Sequence, residues 1–325
     1  MEKNIKILIT GASGFIGTNL LQYYLDKGNV DVLNIDIIRP RNSAHSKYWK
    51  KVDICDLKSL EEVILSYAPD FIIHLAARTD ILGKNIQDYP ANTIGISNIV
   101  AASNNCIGLK KLILASSMLV NSVGYIPKSM LDYCPPNAYG ESKVKTEDII
   151  KNANIRCDYV VIRPTSIWGP WFDTYRNFFE LISKGMYSHI GRKRIYKTYG
   201  FIGNAVKEID GLLMADTSAL SFEERIFYIG DYDYYNLNDW ADEIASIYGK
   251  KNKCFPFFLI KIAALVGDAL KMFNISFPMT SFRLKNMTTN NKVDLSHTRD
   301  YVPDLPFTRD AANRITIEWI KNNPR

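Results

Sequence analysis

Two groups of residues in this chain have the types and spacing for chemistry. Tyr139 and Lys143 stand four apart, which on a helix puts them on one face a turn from each other. Ser116 and Ser117 follow an apolar run from Lys111 to Ala115. A tyrosine has a free pKa near 10 and is a poor base at neutral pH. A neighbouring ammonium and an oxidised nicotinamide both favour its phenolate. So arranged, Tyr139 would take a proton from an alcohol, and Lys143 would support the phenolate and hold the nicotinamide ribose. Ser117 would orient the reacting hydroxyl and bind the oxygen of its carbonyl form. A tyrosine and lysine at this spacing also occur on ordinary solvated helices, so a second group must decide.

That group is the turn Gly11-Ala12-Ser13-Gly14-Phe15-Ile16-Gly17. It lies between an apolar run, Ile5 to Ile9, and a stretch from Phe15 to Leu25 with helical spacing. Strand, glycine turn and helix in that order form a dinucleotide site. Gly11 permits the turn, Gly14 lets backbone approach a pyrophosphate, and Gly17 lets the helix pack against the strand. The helix N-terminus, with Ser13, Phe15 and Ile16, faces the phosphate charge. Asp36 ends a second run, Val32 to Asp36, where a carboxylate meets the adenosine ribose and repels a 2′-phosphate. NAD is therefore expected over NADP, although Arg39 and Arg41 stand close by. Asp53 and Ile54 are expected near the adenine. Leu75, Ala76 and Ala77 end a buried run from Phe71, and small residues there let backbone pass close to the cofactor. His74 reads as packed core.

These residues need a scaffold. Strand-like runs alternate with helical ones through Asp158 to Arg163, predicting a Rossmann-like doubly wound parallel sheet. Pro164 and Gly169-Pro170 break the pattern. The expected division is residues 1–168 for the NAD-binding domain, with about 199–232 returning to it. Residues 169–198 and 233–325 would form a smaller C-terminal substrate-binding lobe.

The chain resembles the extended short-chain dehydrogenases/reductases, specifically the NAD-dependent nucleotide-sugar epimerases and dehydratases. The resemblance rests on GASGFIG at 11–17, Asp36, Asp53, HLAA at 74–77, Asn92, Ser116-Ser117, Tyr139 with Lys143, and Arg163-Pro164 through Trp168-Gly169-Pro170. It implies Ser117, Tyr139 and Lys143 as the catalytic group and adds Asn92 to the cofactor site. It places Arg78, Ser117, Met118, Ser166, Lys197 and Arg283 at a nucleotide-diphosphate sugar. Related dehydratases carry an acidic pair after the catalytic serine or threonine; here stand Met118 and Leu119. Neither titrates, which argues against dehydration. Ser166 replaces a usual asparagine, Lys197 an arginine that meets the diphosphate, and Asn204 an aspartate. Relatives commonly pair through two helices, here near Asn92–Ser103 and the one bearing Tyr139, so a homodimer is expected. Both helices carry apolar residues at helical spacing: Ile94, Ile96, Ile99 and Val100 on one, Val144, Ile149 and Ile150 on the other.

Whole-chain properties bound the reading. A length of 325 residues with 47% apolar content suits one such domain and a lobe. The net charge of +6 is modest, compatible with an anionic nucleotide and poor evidence for nucleic acid. Five cysteines without metal-ligand spacing read as free thiols in a reducing cytoplasm, with no metal site. Phe255 to Phe273 is the most hydrophobic stretch, but Lys261, Asp268 and Lys271 interrupt it. It is expected to be an amphipathic helix of the lobe rather than a membrane span, with a monotopic contact as the alternative. Three functions fit. The first is epimerisation through transient oxidation at C4. The second is a net dehydrogenase or keto-sugar reductase with the same residues. The third is a non-catalytic NAD-binding sensor or scaffold, against which an intact Ser117, Tyr139 and Lys143 argue.

Overall fold

The computed structural model describes residues 4–272, 277 and 279–324. The first six strands are β1 (Ile5–Thr10), β2 (Val30–Asp36), β3 (Trp49–Lys51), β4 (Phe71–His74), β5 (Lys111–Ala115) and β6 (Asp158–Pro164). With Ile226–Ile229 they form a seven-stranded sheet in the order Ile226–Ile229, β6, β5, β4, β1, β2, β3. Every pairing in it is parallel. Parallel strands are covered on both faces and so read as continuous aliphatic runs. Ile7, Leu8 and Ile9 of β1 are wholly buried, as are Leu112, Ile113 and Leu114 of β5.

The helices between them are α1 (Phe15–Lys27), α2 (Leu57–Tyr67), α3 (Pro90–Asn104), α4 (Ala138–Asn152), α5 (Asp173–Ser183) and α6 (Ile202–Met214). α1 packs on α6, while α2, α3 and α4 pack in series. The strand order reverses at β1, whose neighbours are β2 and β4. Ligands of doubly wound sheets bind beyond the strand ends at such a switch point. The turn after β1 and the loop after β4 meet there.

The chain falls into two compact units. The first comprises Met1–Ile167, Gly200–Asp231 and Asp294–Phe307. Asp294–Phe307, expected in the smaller lobe, belongs to this unit. In it the Thr298 hydroxyl donates to the Tyr228 carbonyl at 2.6 Å, and the Phe307 N–H donates to Asn204.

The second unit comprises Trp168–Tyr199, Tyr232–Val293 and Thr308–Arg325. It holds α5, α7 (Leu237–Ile247), α8 (Phe257–Met272), α9 (Ser281–Thr288) and, beyond the short α10 (Ser296–Tyr301) of the first unit, α11 (Arg309–Asn322). Its core is aromatic. Trp168, Phe179, Tyr235 and Trp240 are buried with ring centroids 5.1–6.3 Å apart. The Trp240 indole donates to Asn313 at 2.9 Å, tying α7 to α11. Two short pairings complete the unit, Tyr196–Lys197 with Tyr235–Asn236, and Ser188–Ile190 with Lys253–Phe255.

Candidate active site

The glycine turn divides its labour by position. Gly11 has φ +75°, and a Cβ there would lie 2.6 Å from the Ala76 backbone nitrogen. A Cβ on Gly17 would meet Ala12 and the Gly11 carbonyl at 2.4 Å. The protein's own packing therefore demands both. Gly14 is different: a Cβ would meet only the Gly11 carbonyl, at 3.1 Å, with open space otherwise. Gly14 also caps α1 without a side-chain hydrogen bond, and no acid stands in the first turn. A helix N-terminus with open space before it and no carboxylate on it suits a pyrophosphate.

Asp36 ends β2 beside this turn. Its carboxylate accepts the N–H groups of Ser13 and Ile38, each at 3.1 Å. Burial pushes its pKa up and these bonds partly pull it back. The group is thus fixed over the turn. Arg39 stacks over Trp49 at 5.9 Å. The Ser13 hydroxyl donates to the Ile38 carbonyl at 2.9 Å, and the residue is wholly buried. It locks the turn to the end of β2. Asp53 is exposed and accepts the Cys55 N–H at 2.8 Å. Ile54 contributes a side chain to the core against Gly95, and its carbonyl accepts from Asn98.

Across the switch point, the Thr10 hydroxyl pairs with His74 Nδ1 at 2.7 Å and accepts the Ala76 N–H. His74 is a core residue held neutral, its pKa driven down to about 3 by burial and then by the charge of Lys143. Asn92 is tied into the protein. Its side chain accepts the Arg78 N–H and donates to the Arg78 carbonyl and to Ser142, and it is 2% exposed. It braces the loop after β4 against α4. Arg78 is likewise held, with its guanidinium on Asp80 and the Asp88 carbonyl and stacked over Tyr89.

Ser117 follows β5, and Tyr139 and Lys143 lie in the first turns of α4. Asn137 caps α4 by accepting the Gly140 N–H. Gly140 lets the helix close on the 3-10 turn Met118–Val120, because a Cβ there would lie 2.4 Å from the Leu119 carbonyl. The Ser117 hydroxyl at the start of that turn accepts the Leu119 N–H at 3.1 Å. Burial pushes the Tyr139 hydroxyl up, and the nearby Ser117 opposes this. Lys143 is buried and donates to the Ala115 carbonyl at 2.9 Å, using one of its three N–H groups. Burial lowers its pKa to about 8.

One supporting group escaped the sequence reading. Glu147, a turn beyond Lys143, is wholly buried and pairs with Arg163 through two contacts of 2.7 and 2.8 Å. It also accepts from Ser116 at 2.5 Å and from Tyr133 at 2.9 Å. This pair pins α4 to β6 and to the serine next to Ser117. The signal was the repeat Tyr139, Lys143, Glu147 at four-residue spacing, which puts all three on one face.

Among the expected substrate residues, Ser166 contacts the Met118 sulfur at 3.9 Å. In the second unit, Lys197 donates to the Asn286 carbonyl on α9 at 2.6 Å, and burial lowers its pKa to about 8. Arg283 lies one turn earlier on the same helix and is exposed. Asn204, which stands where relatives carry an acid, binds Asp231 and both backbone groups of Phe307. Among the described residues no cluster of metal-ligating side chains occurs.

A doubly wound parallel sheet with a glycine turn at its switch point defines a Rossmann-like dinucleotide-binding protein. The model of the NAD dependent epimerase/dehydratase family matches residues 7–196. The chain belongs to this family, one of extended short-chain dehydrogenase/reductase enzymes that use NAD. A relative in Escherichia coli O157:H7, N-acetyl-alpha-D-glucosaminyl-diphospho-ditrans,octacis-undecaprenol 4-epimerase, is 24% identical over 98% of this chain and 96% of its own. The UDP-glucose 4-epimerase of Thermotoga maritima, solved with UDP-glucose, is similar at TM-score 0.73 and 18% identity, over 98% of this chain and 99% of that one. The UDP-glucuronic acid 4-epimerase of Bacillus cereus, solved with NAD, gives TM-score 0.71 at 19% identity, over 98% and 99%.

Proposed function

We propose that the chain is an NAD-dependent 4-epimerase of a nucleotide-activated sugar. The observation that carries this is the packing of α4 on the turn that begins at Ser117, with Tyr139 and the Lys143 ammonium both buried one helical turn apart. Tyr139 takes the proton of the C4 hydroxyl. Ser117 orients that hydroxyl and donates to the oxygen once it is a carbonyl. Lys143, fixed on the Ala115 carbonyl, holds positive charge by the phenolate, and its remaining donors would hold the nicotinamide ribose. Bound NAD supplies the acceptor and donor of the hydride at C4. Gly11, Gly14, Phe15, Ile16 and Gly17 would hold the pyrophosphate and Asp36 the ribose, with Asp53, Leu75, Ala76 and Ala77 lining the rest. Asp36 favours NAD over NADP. Lys197 and Arg283 are proposed for the sugar's diphosphate, and Ser166 and Met118 for the sugar.

Met118 and Leu119 hold no proton to trade, which speaks against loss of water from the sugar. The test is a substrate deuterated at C4, given to purified protein without added cofactor. The 4-epimer retaining its label supports the reading. Reduced cofactor accumulating with substrate would establish the dehydrogenase instead.

One observation favours a second reading of the sugar's carrier. A relative that matches along 98% of this chain is named for a sugar on undecaprenyl diphosphate. The same diphosphate chemistry serves either carrier. We also propose a homodimer in the cytoplasm. The support is the side-by-side packing of α3 and α4, and the free thiols of all five cysteines.

A further inference from the structure

Helix α8 contradicts the pattern of a helix on a water-facing surface. Its buried line runs through Ala264 and Gly267. Its outward face carries Phe258, Ile262 and Leu265, which are 61, 55 and 58% exposed, together with Phe257, Leu259 and Val266. Lys261 is the one charged residue on that face among those described. A soluble helix directs the opposite stripe outward. Apolar residues exposed singly mean little, but a contiguous patch marks an interaction surface.

The charge around this face is also uneven. The strand Lys253–Phe255 leads into α8 and pairs with Ser188–Ile190. The turn after the latter, Gly191 to Arg194, is therefore seated at the start of α8. The Gly191 N–H donates to the Phe255 carbonyl at 2.9 Å, and a Cβ on Gly191 would lie 3.5 Å from that of Phe257. Arg192, Lys193 and Arg194 are exposed there. Residues 184–194 and 250–272 together carry nine lysines and arginines against one acid, Asp268. That excess of eight exceeds the +6 of the whole chain, so the remaining residues are net acidic by two.

We infer that the outer face of α8, flanked by these cations, docks on an anionic phospholipid bilayer. A helix of 16 residues does not cross a membrane, and none among the described residues is long and apolar enough to do so. A helix of this kind lies in the plane of the interface, its apolar face among the acyl chains and its basic flanks on the headgroups. Two signals of moderate strength acting together make such binding stable and reversible. A second copy of the chain is a poorer occupant, because the basic flanks would meet their own like charge in a twofold contact.

The inference stands apart from the proposed reaction, since neither cofactor nor sugar enters its test. The full chain is floated with vesicles of phosphatidylcholine alone and with vesicles also containing phosphatidylglycerol. The expected result is flotation with the anionic vesicles, weakened by raised salt and reduced about tenfold or more by Ile262→Asp with Leu265→Asp. Thermal unfolding checks that this variant is folded. Arg192→Glu with Arg194→Glu is the second variant, expected to weaken flotation without touching the helix. Failure to float with anionic vesicles at low salt overturns the inference. So does flotation that neither variant reduces. An Ile262→Asp, Leu265→Asp variant that changes oligomeric state, in a protein that binds no vesicles, overturns it in favour of self-association.

Discussion

At the scale of single residues, the site is a compromise between burial and charge. Tyr139→Phe removes one hydroxyl and is expected to lower turnover by about 100-fold or more. NAD affinity, measured by fluorescence titration, should stay within a few-fold. Near-normal turnover would remove Tyr139 from the mechanism. Lys143 makes a prediction of opposite sign for stability. Its folded pKa of about 8 lies below the 10.5 of a free lysine, so at neutral pH the fold carries the penalty of a buried charge. That penalty is roughly 3 kcal/mol, against about 1 kcal/mol for the bond to Ala115. Stability should accordingly rise as pH climbs from about 8 toward 10.5, the unfolded chain binding the extra proton there. Lys143→Met should raise the melting temperature at pH 7 while abolishing activity. A melting temperature that falls would show that the ammonium stabilises the fold. The sequence reveals the type and spacing of Tyr139 and Lys143. It does not reveal that the polar groups of Ser13 and Asn92 are taken up by the protein, because those partners lie 14 to 50 residues away.

At the scale of elements, the turn between β1 and α1 separates what folding needs from what a ligand needs. Gly17→Ala places a Cβ 2.4 Å from backbone and should destabilise the protein by several kcal/mol. Gly14→Ala, at φ −78° and with open space beyond 3.1 Å, should change the melting temperature little yet weaken NAD binding severely. Calorimetry of both variants checks this, and an undisturbed NAD affinity in Gly14→Ala would put the pyrophosphate elsewhere. This turn was legible because each glycine answers a local steric demand. The strands were legible as aliphatic runs, with β4 ending at His74 earlier than its apolar run suggested. The exposure of α8 was not legible. Hydrophobicity announces a helix that seeks cover but does not say what covers it. The apolar spacing of α3 misled in the other direction. Ile96, Ile99 and Val100, expected at a partner's surface, are in the core, and only Ile94 of that group is exposed.

At the scale of the molecule, a homodimer through α3 and α4 would have to use Ile94 and the polar residues around it. Sedimentation at micromolar concentration should show a dimer, and Ile94→Glu should shift it toward monomer; a monomeric wild type would dismiss the arrangement. The interleaving of the two units bears on biosynthesis. The chain passes between them five times before its end. A ribosome therefore delivers β6 with its outer edge bare, and the strand that covers it, Ile226–Ile229, emerges some 60 residues later, after a stretch that belongs to the other unit. Until then the nascent chain offers an aliphatic sheet edge that can pair with a neighbour. A pause or stop codon between Pro164 and Ile226 should yield an aggregating fragment, and chaperones should be found on the nascent chain over that interval.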